Sequence, residues 1–225
     1  MPARCLAATY SLVTATTCAL AQAPAAIVEY VDSKSTEVEF MDYLPAGKVV
    51  QLAPNDKLVL GYLKSCWRET IVAGKVKVGV EQSEIEGGMV ERTKVACNGG
   101  KMKLSREQAQ KSGAMAFRAP PKKIAGQPSE YTIYGLSPVI EASTAGRLLI
   151  ERLDQTDEKI DIDISGAQLM RGAFFDLAKI DKALTAGGTY SVSFAGQHAI
   201  FKVDPYAKPG ASPIVGRLLR LSPER

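Results

Sequence analysis

Between Leu58 and Leu104 apolar and charged residues alternate in short runs, broken at Ala73-Gly74, Gly87-Gly88 and Asn98-Gly99-Gly100. Period-two alternation puts successive side chains on opposite faces of a strand, and glycine pairs supply turns, so the stretch predicts a β-meander. Val76, Val78 and Val80 share one face and Lys75 and Lys77 the other; Lys101 and Lys103 repeat the pattern against Met102 and Leu104. Upstream, residues 27–31 and 37–41 predict two strands around a turn at 32–35. Leu44-Pro45-Ala46-Gly47 reads as a break, and residues 49–52 as a third strand closed by a turn at Pro54-Asn55-Asp56. Ser105 and Gln108 have the capping-box spacing and Gly113 is a stop, which predicts a short helix over 106–112, followed by extended chain at 115–118.

Three prolines within residues 119–129 deny a helix or a paired strand and predict an extended spacer. The expected organisation is therefore a β-rich domain over 26–118 and a second domain over 130–225. The second half predicts strands at 131–134, 138–141, 147–153 and 160–164, and one short helix carrying Leu177, Ile180 and Leu184. A hairpin over Ala195-Gly196-Gln197 and a last apolar strand at 214–221, with Arg217 and Arg220 on its margin, complete it. Many short strands at regular spacing argue a mainly β protein ending in a β-sandwich with two short helices.

The 46% hydrophobic and 23% charged fractions are those of an ordinary globular chain. Residues 1–25 read as a cleaved secretory signal peptide: Arg4 precedes a charge-free run to Ala21, and cleavage after Ala23 or Ala25 satisfies the small-residue rule. The run is too short and too rich in Ser and Thr to stay in a bilayer, so the mature chain is expected to be periplasmic or secreted, without stable membrane insertion. The net charge of +4 falls by one when Arg4 leaves, and the signs are interleaved, which gives no electrostatic case for nucleic acid. Export gives Cys66 and Cys97 a meaning. They lie 31 positions apart without C-x-x-C spacing and predict one structural disulfide, with a loop-closure stabilisation of roughly 3–4 kcal/mol. Two thiols and the single His198 do not make a zinc set, and no cofactor is expected.

Two resemblances follow from particular residues. Pro54 to Gly61, then Arg68 to Gly79 and Ser83, resemble the repeat of FecR-like periplasmic domains: a turn with Asp, a strand, a hairpin on Gly, alternating aliphatics and a later Ser. The match spans about residues 44–85 and implies a non-catalytic envelope module for sensing or partner contact; the transmembrane helix and anti-sigma segment of the signalling members have no counterpart here. In the second half, Leu184, the corner Ala186-Gly187-Gly188 and Tyr190 resemble the tyrosine corner of immunoglobulin-like sandwiches, which implies that the phenol bonds back to upstream backbone.

Candidate chemistry is sparse. His198 is the one possible histidine base and sits on a hairpin edge; Asp154, Asp157, Asp161 and Asp163 offer carboxylates without regular calcium-ligand spacing. The expected function is an exported, non-catalytic binding or scaffold module contacting an envelope protein or glycan, with an exported hydrolase, or a regulator or inhibitor of an exported enzyme, as the alternatives. Trp67, Lys75, Lys77, Lys101 and Lys103 form the candidate binding face, although Trp67 also suits a plug beside the disulfide and the lysines a solvated face paired with Glu81, Glu84, Glu86 and Glu91.

Overall fold

The computed structural model describes residues 23–99 and 131–223, apart from 143, 156 and 212. The leader up to residue 22, the strand at 101–104 with Lys101 and Lys103, the helix at 106–112, the extended stretch at 115–118 and the spacer at 119–129 lie outside the described residues. Over the described residues the chain is mainly β.

The first sheet contains β1 (Pro24–Asp32), β2 (Tyr43–Pro45), β3 (Val49–Tyr62), β4 (Trp67–Lys77), β5 (Glu84–Glu86) and β6 (Met89–Lys94). They run β2-β1-β3-β4, with β5 and β6 end to end along the far side of β4, all antiparallel. Residues 37–41 are not a strand. Val38 and Met41 turn inward as buried plugs, Met41 takes a φ of 71°, and Met41 N–H donates to Val28 O while Val28 N–H donates to Asp42 O. The chain regains strand geometry at β2, where a break is expected from the sequence.

Neither Pro54-Asn55-Asp56 nor Ala73-Gly74 reverses the chain. Leu52 faces Gly74 and Lys57 faces Val72, so residues 53–56 are a bulge inside one long strand, closed by Asp56, whose carboxylate accepts from Ser33, Ser35 and Ala53 N–H. β4 likewise runs through Ala73-Gly74, with φ values of 60° and 85°. Gly87-Gly88 separates β5 from β6 at the same level, since Lys75 faces Glu86 and Val72 faces Met89. Bulges bend and twist a strand, and three aligned ones crease the sheet around Val28, Leu58, Leu60, Tyr62, Ile71 and Val76. The crease needs Gly88, because a Cβ there would stand 2.1 Å from Ala73 O. Val80 does not join Val76 and Val78 inside; β4 ends at Lys77 and Val80 is 59% exposed.

In the second half β9 (Gly146–Arg152), β10 (Lys159–Ile164), β12 (Thr189–Phe194) and β13 (Gln197–Lys208) form a sheet in the order β10-β9-β12-β13. β7 (Thr132–Gly135) joins β13 in parallel, and β15 (Ser222–Pro223) pairs with its start. A small sheet of β11 (Phe174–Asp176), β8 (Val139–Glu141) and β14 (Leu218–Leu219) shares the core, with Phe175, Ile140 and Leu219 packed against Ile150, Val192 and Phe201. The helix expected around Leu177 is a single 3-10 turn, Leu177–Ile180, capped by Asp176, whose carboxylate accepts Ala178 N–H. The expected strand at 214–221 is mostly a turn, with only Leu218–Leu219 paired to β8; Arg217 and Arg220 are buried rather than marginal.

A third apolar cluster joins the halves: Ile27, Met41 and Leu63 meet Val139, Phe174, Val215 and Leu218. Glu29 is the extra residue of a bulge in β1, which turns its side chain across this boundary. One Glu29 oxygen accepts Val215 N–H at 2.8 Å and the other accepts Arg68 Nε at 2.8 Å.

Candidate binding cleft

Of the residues expected to form a binding face, the described ones, Trp67, Lys75 and Lys77, are already partnered. Lys75 pairs with Glu86 at 3.1 Å and Lys77 with Glu84 at 3.0 Å, directly across β4 and β5, so this described part of the stripe is electrically balanced. The Trp67 ring is half-buried against the first core, with Lys94 Nζ 4.8 Å from its centre. Cys66 and Cys97 form the disulfide, tying the corner after β3 to the chain leaving β6. Ser83 is buried as a hub: its N–H donates to the buried Glu69 carboxylate, its carbonyl accepts Arg92 Nη2, and its hydroxyl meets Tyr62 OH at 2.7 Å.

In the second half, Tyr190 OH donates to Glu158 Oε1 at 2.6 Å and contacts Thr185 N–H and O, five residues upstream. Burial pushes the phenol up to about 12, helped by Glu158. Burial also raises the Glu158 carboxyl, but hydrogen bonds from Tyr190, Arg152 and Thr185 outweigh it and hold it low. Asp161 takes a two-pronged bond from Arg147, both contacts 2.7 Å, and Asp154 one from Arg152. His198 is exposed on β13 opposite Ser193. Among the described residues no three potential metal ligands cluster, and no helix is long and apolar enough to cross a membrane.

The feature with the geometry of a site lies elsewhere, where β13 arches away from β7. Val203 faces Ile133 and Lys208 faces Gly135, so four residues of β13, Asp204 to Ala207, stand against Tyr134 alone. The surplus pushes Pro205 and Tyr206 outward, leaving Tyr206 88% exposed, and Tyr134 N–H turns to Gly216 O at 2.8 Å instead. The gap is a cleft of about 260 Å³ lined by Tyr134, Tyr206, Lys208, Pro209, Pro213 and Arg217 among others. Among the described residues, neither tyrosine hydroxyl and not the Lys208 ammonium has a side-chain partner.

Arg217 is its foundation. The residue is 2% exposed and its guanidinium forks onto Asp176, Nη1 to Oδ1 at 2.6 Å and Nη2 to Oδ2 at 2.8 Å. The remaining donors reach Ser137 O at 2.5 Å and Ala211 O from Nε at 2.9 Å, with a second bond to Ala211 O from Nη2. Five donors in one rigid plane thus clamp the loop carrying Pro209 and Pro213 to the floor beneath it. Gly135 lets this happen, since a Cβ there would lie 3.1 Å from Arg217 Cδ. A second hollow, of about 330 Å³, lies beside Asp176 and is lined by Gln168, Met170, Phe175 and Lys179.

Sequence reasoning passes over Tyr134, Tyr206, Lys208 and Asp176. Two signals were present: an arginine inside the apolar run 214–221, which calls for a buried partner, and Tyr206-Ala207-Lys208-Pro209-Gly210, an aromatic beside a rigid turn. Comparison with known proteins returns no matching family model, no matching curated protein and no matching solved structure.

Proposed function

We propose that this chain is an exported, non-catalytic envelope binding or scaffold module that holds a protein or glycan partner in the β7–β13 cleft. The observation that carries this is the clamped cleft itself: an exposed aromatic–proline surface with free donors, fixed from beneath by a buried ion pair. Burying such a pair adds little net stability, whereas fixing a surface before contact lowers the entropic cost of binding. The disulfide fits an oxidising compartment. The FecR-like stretch at 44–85 and the Tyr190 corner point to the same class of module, FecR-like followed by immunoglobulin-like, on either side of the spacer. Cleavage after Ala23 suits this reading better than cleavage after Ala25, because it keeps Ala25 in β1, where its carbonyl accepts Leu63 N–H.

The test is crosslinking in the cells that make the protein, with recovered adducts quantified for the native chain, Tyr206→Ala and Tyr30→Ala, the last removing an exposed tyrosine from the other half. Tyr206→Ala should lose the adduct and Tyr30→Ala keep it. Equal adduct yield from Tyr206→Ala and the native chain would remove the cleft from consideration.

A further inference from the structure

We infer that the cleft takes a proline-rich segment of a partner protein in the polyproline II conformation, an inference that rests on the binding role proposed above. The lining offers side-chain donors that have no side-chain partner among the described residues. Tyr134, Tyr206 and Lys208 line it, while the carbonyls of Lys208 and Gly216 already accept from Leu136 N–H and Tyr134 N–H, and Ala211 O from Arg217. A polyproline II segment is the complementary ligand: its carbonyls have no internal partners, and its prolines have no N–H to satisfy.

Shape agrees. Two tyrosines on neighbouring strands share the lining with Pro209 and Pro213, the composition of the aromatic-lined grooves that such segments dock into. At about 260 Å³ the cleft is smaller than the usual small-molecule pocket and suits one or two rings of a ligand that continues along the surface. Lys208, lacking an acidic partner among the described residues, favours a segment with a carboxylate beside its prolines.

The experiment measures fluorescence anisotropy of a labelled synthetic decapeptide, containing Pro-x-x-Pro and one adjacent Glu, against the purified mature chain. Binding is expected, weakened about tenfold by Tyr206→Ala, the loss typical of a truncated aromatic anchor, and unchanged by Tyr30→Ala. Replacing the peptide prolines by alanine should weaken it by a similar factor, and Glu→Gln in the peptide should remove most of its salt dependence. No binding at about 1 mM peptide, or equal affinity for the alanine peptide, overturns the inference. A trigalacturonate probe separates the two levels of failure. Binding of that acidic sugar lost in Tyr206→Ala, with no peptide binding, sinks the polyproline assignment and leaves the cleft as a site; Tyr206-independent adducts in cells sink both.

Discussion

Asp176→Ala would leave the Arg217 guanidinium charged, buried and facing only the carbonyls of Ser137 and Ala211. Breaking a buried ion pair from one side costs about 3–5 kcal/mol, because the remaining charge keeps its desolvation penalty. Asp176 also caps the Leu177–Ile180 turn, which adds about 1 kcal/mol, so the loss belongs at the upper end of that range. For a chain of this size, about 5 kcal/mol corresponds to a fall in Tm of roughly 10–20 °C. Asp176→Asn keeps the cap and should cost about 1 kcal/mol less. Asp176→Leu with Arg217→Met removes both charges at similar volume and should return to within about 2 kcal/mol of the native chain. Urea unfolding followed by the fluorescence of Trp67, the one tryptophan, and by far-UV circular dichroism gives the comparison, provided both probes move together and m is unchanged. A loss below about 1 kcal/mol for Asp176→Ala would mean that the carbonyls alone satisfy the guanidinium. A double variant as damaged as the single one would mean that packing, not charge, fixes the site. The double variant also isolates the clamp: it folds without a side chain holding Ala211, and its ligand binding should fall although its stability does not.

Other expected outcomes are independent of the cleft. Replacing Cys66 and Cys97 together by Ala should cost roughly 3–4 kcal/mol in urea unfolding, and hydrogen exchange should quicken at Thr132, whose N–H donates to Asn98 Oδ1 beside Cys97; unchanged Thr132 exchange would uncouple the bridge from that contact. Gly88→Ala should destabilise by about 3 kcal/mol, against about 1 kcal/mol for Gly87→Ala, since only the first meets backbone; the reverse order in thermal melts would contradict the crease. Arg152 and Thr189 N–H hold the Asp154 carboxyl down from 3.8 to about 2. A carboxyl depressed on folding contributes stability in full above its unfolded value and loses it as pH falls through the folded one. Stability should therefore drop between about pH 4 and pH 2, with a shallower slope in Asp154→Asn; identical acid titrations of the two chains would contradict it.

Strands with one wet face were the most legible elements. Strict alternation in Ile160-Asp161-Ile162-Asp163-Ile164 and the hairpin at Ala195-Gly196 specify face and turn locally, and the structure has both. Ala73-Gly74 and Pro54-Asn55-Asp56 carry the same local signals as a turn, yet the neighbouring strands also bulge there, and aligned bulges allow the chain to continue. Which solution is taken depends on partners far along the chain. The same holds for the cleft. Arg217 in an apolar run announces a buried charge, but its partner Asp176 is 41 residues away in a strand of three residues too short to show periodicity. Tyr206 becomes exposed where β13 has a three-residue excess over β7, a matter of register invisible in either strand alone.

The cleft is not the property of the second half alone. Ile214 and Val215 belong to the apolar cluster shared between the halves, while the neighbouring Pro213, Gly216 and Arg217 line the cleft. Glu29, re-aimed by its bulge, holds Val215 N–H from the first half. Gly216 packs so closely on Ala96 O that a Cβ would stand 2.6 Å from it, and Ala96 is next to Cys97, which the disulfide fixes. A backbone path thus runs from the Cys66–Cys97 bridge through Ala96 and Gly216 to the cleft floor. A ligand that needs Gly216 and Arg217 in this position binds only when the first half is folded, so by mass action it must stabilise that half as well. Trp67, far from the cleft along the chain, should then report ligand-induced protection in urea, and a ligand that shifts second-half signals without shifting Trp67 would break the link.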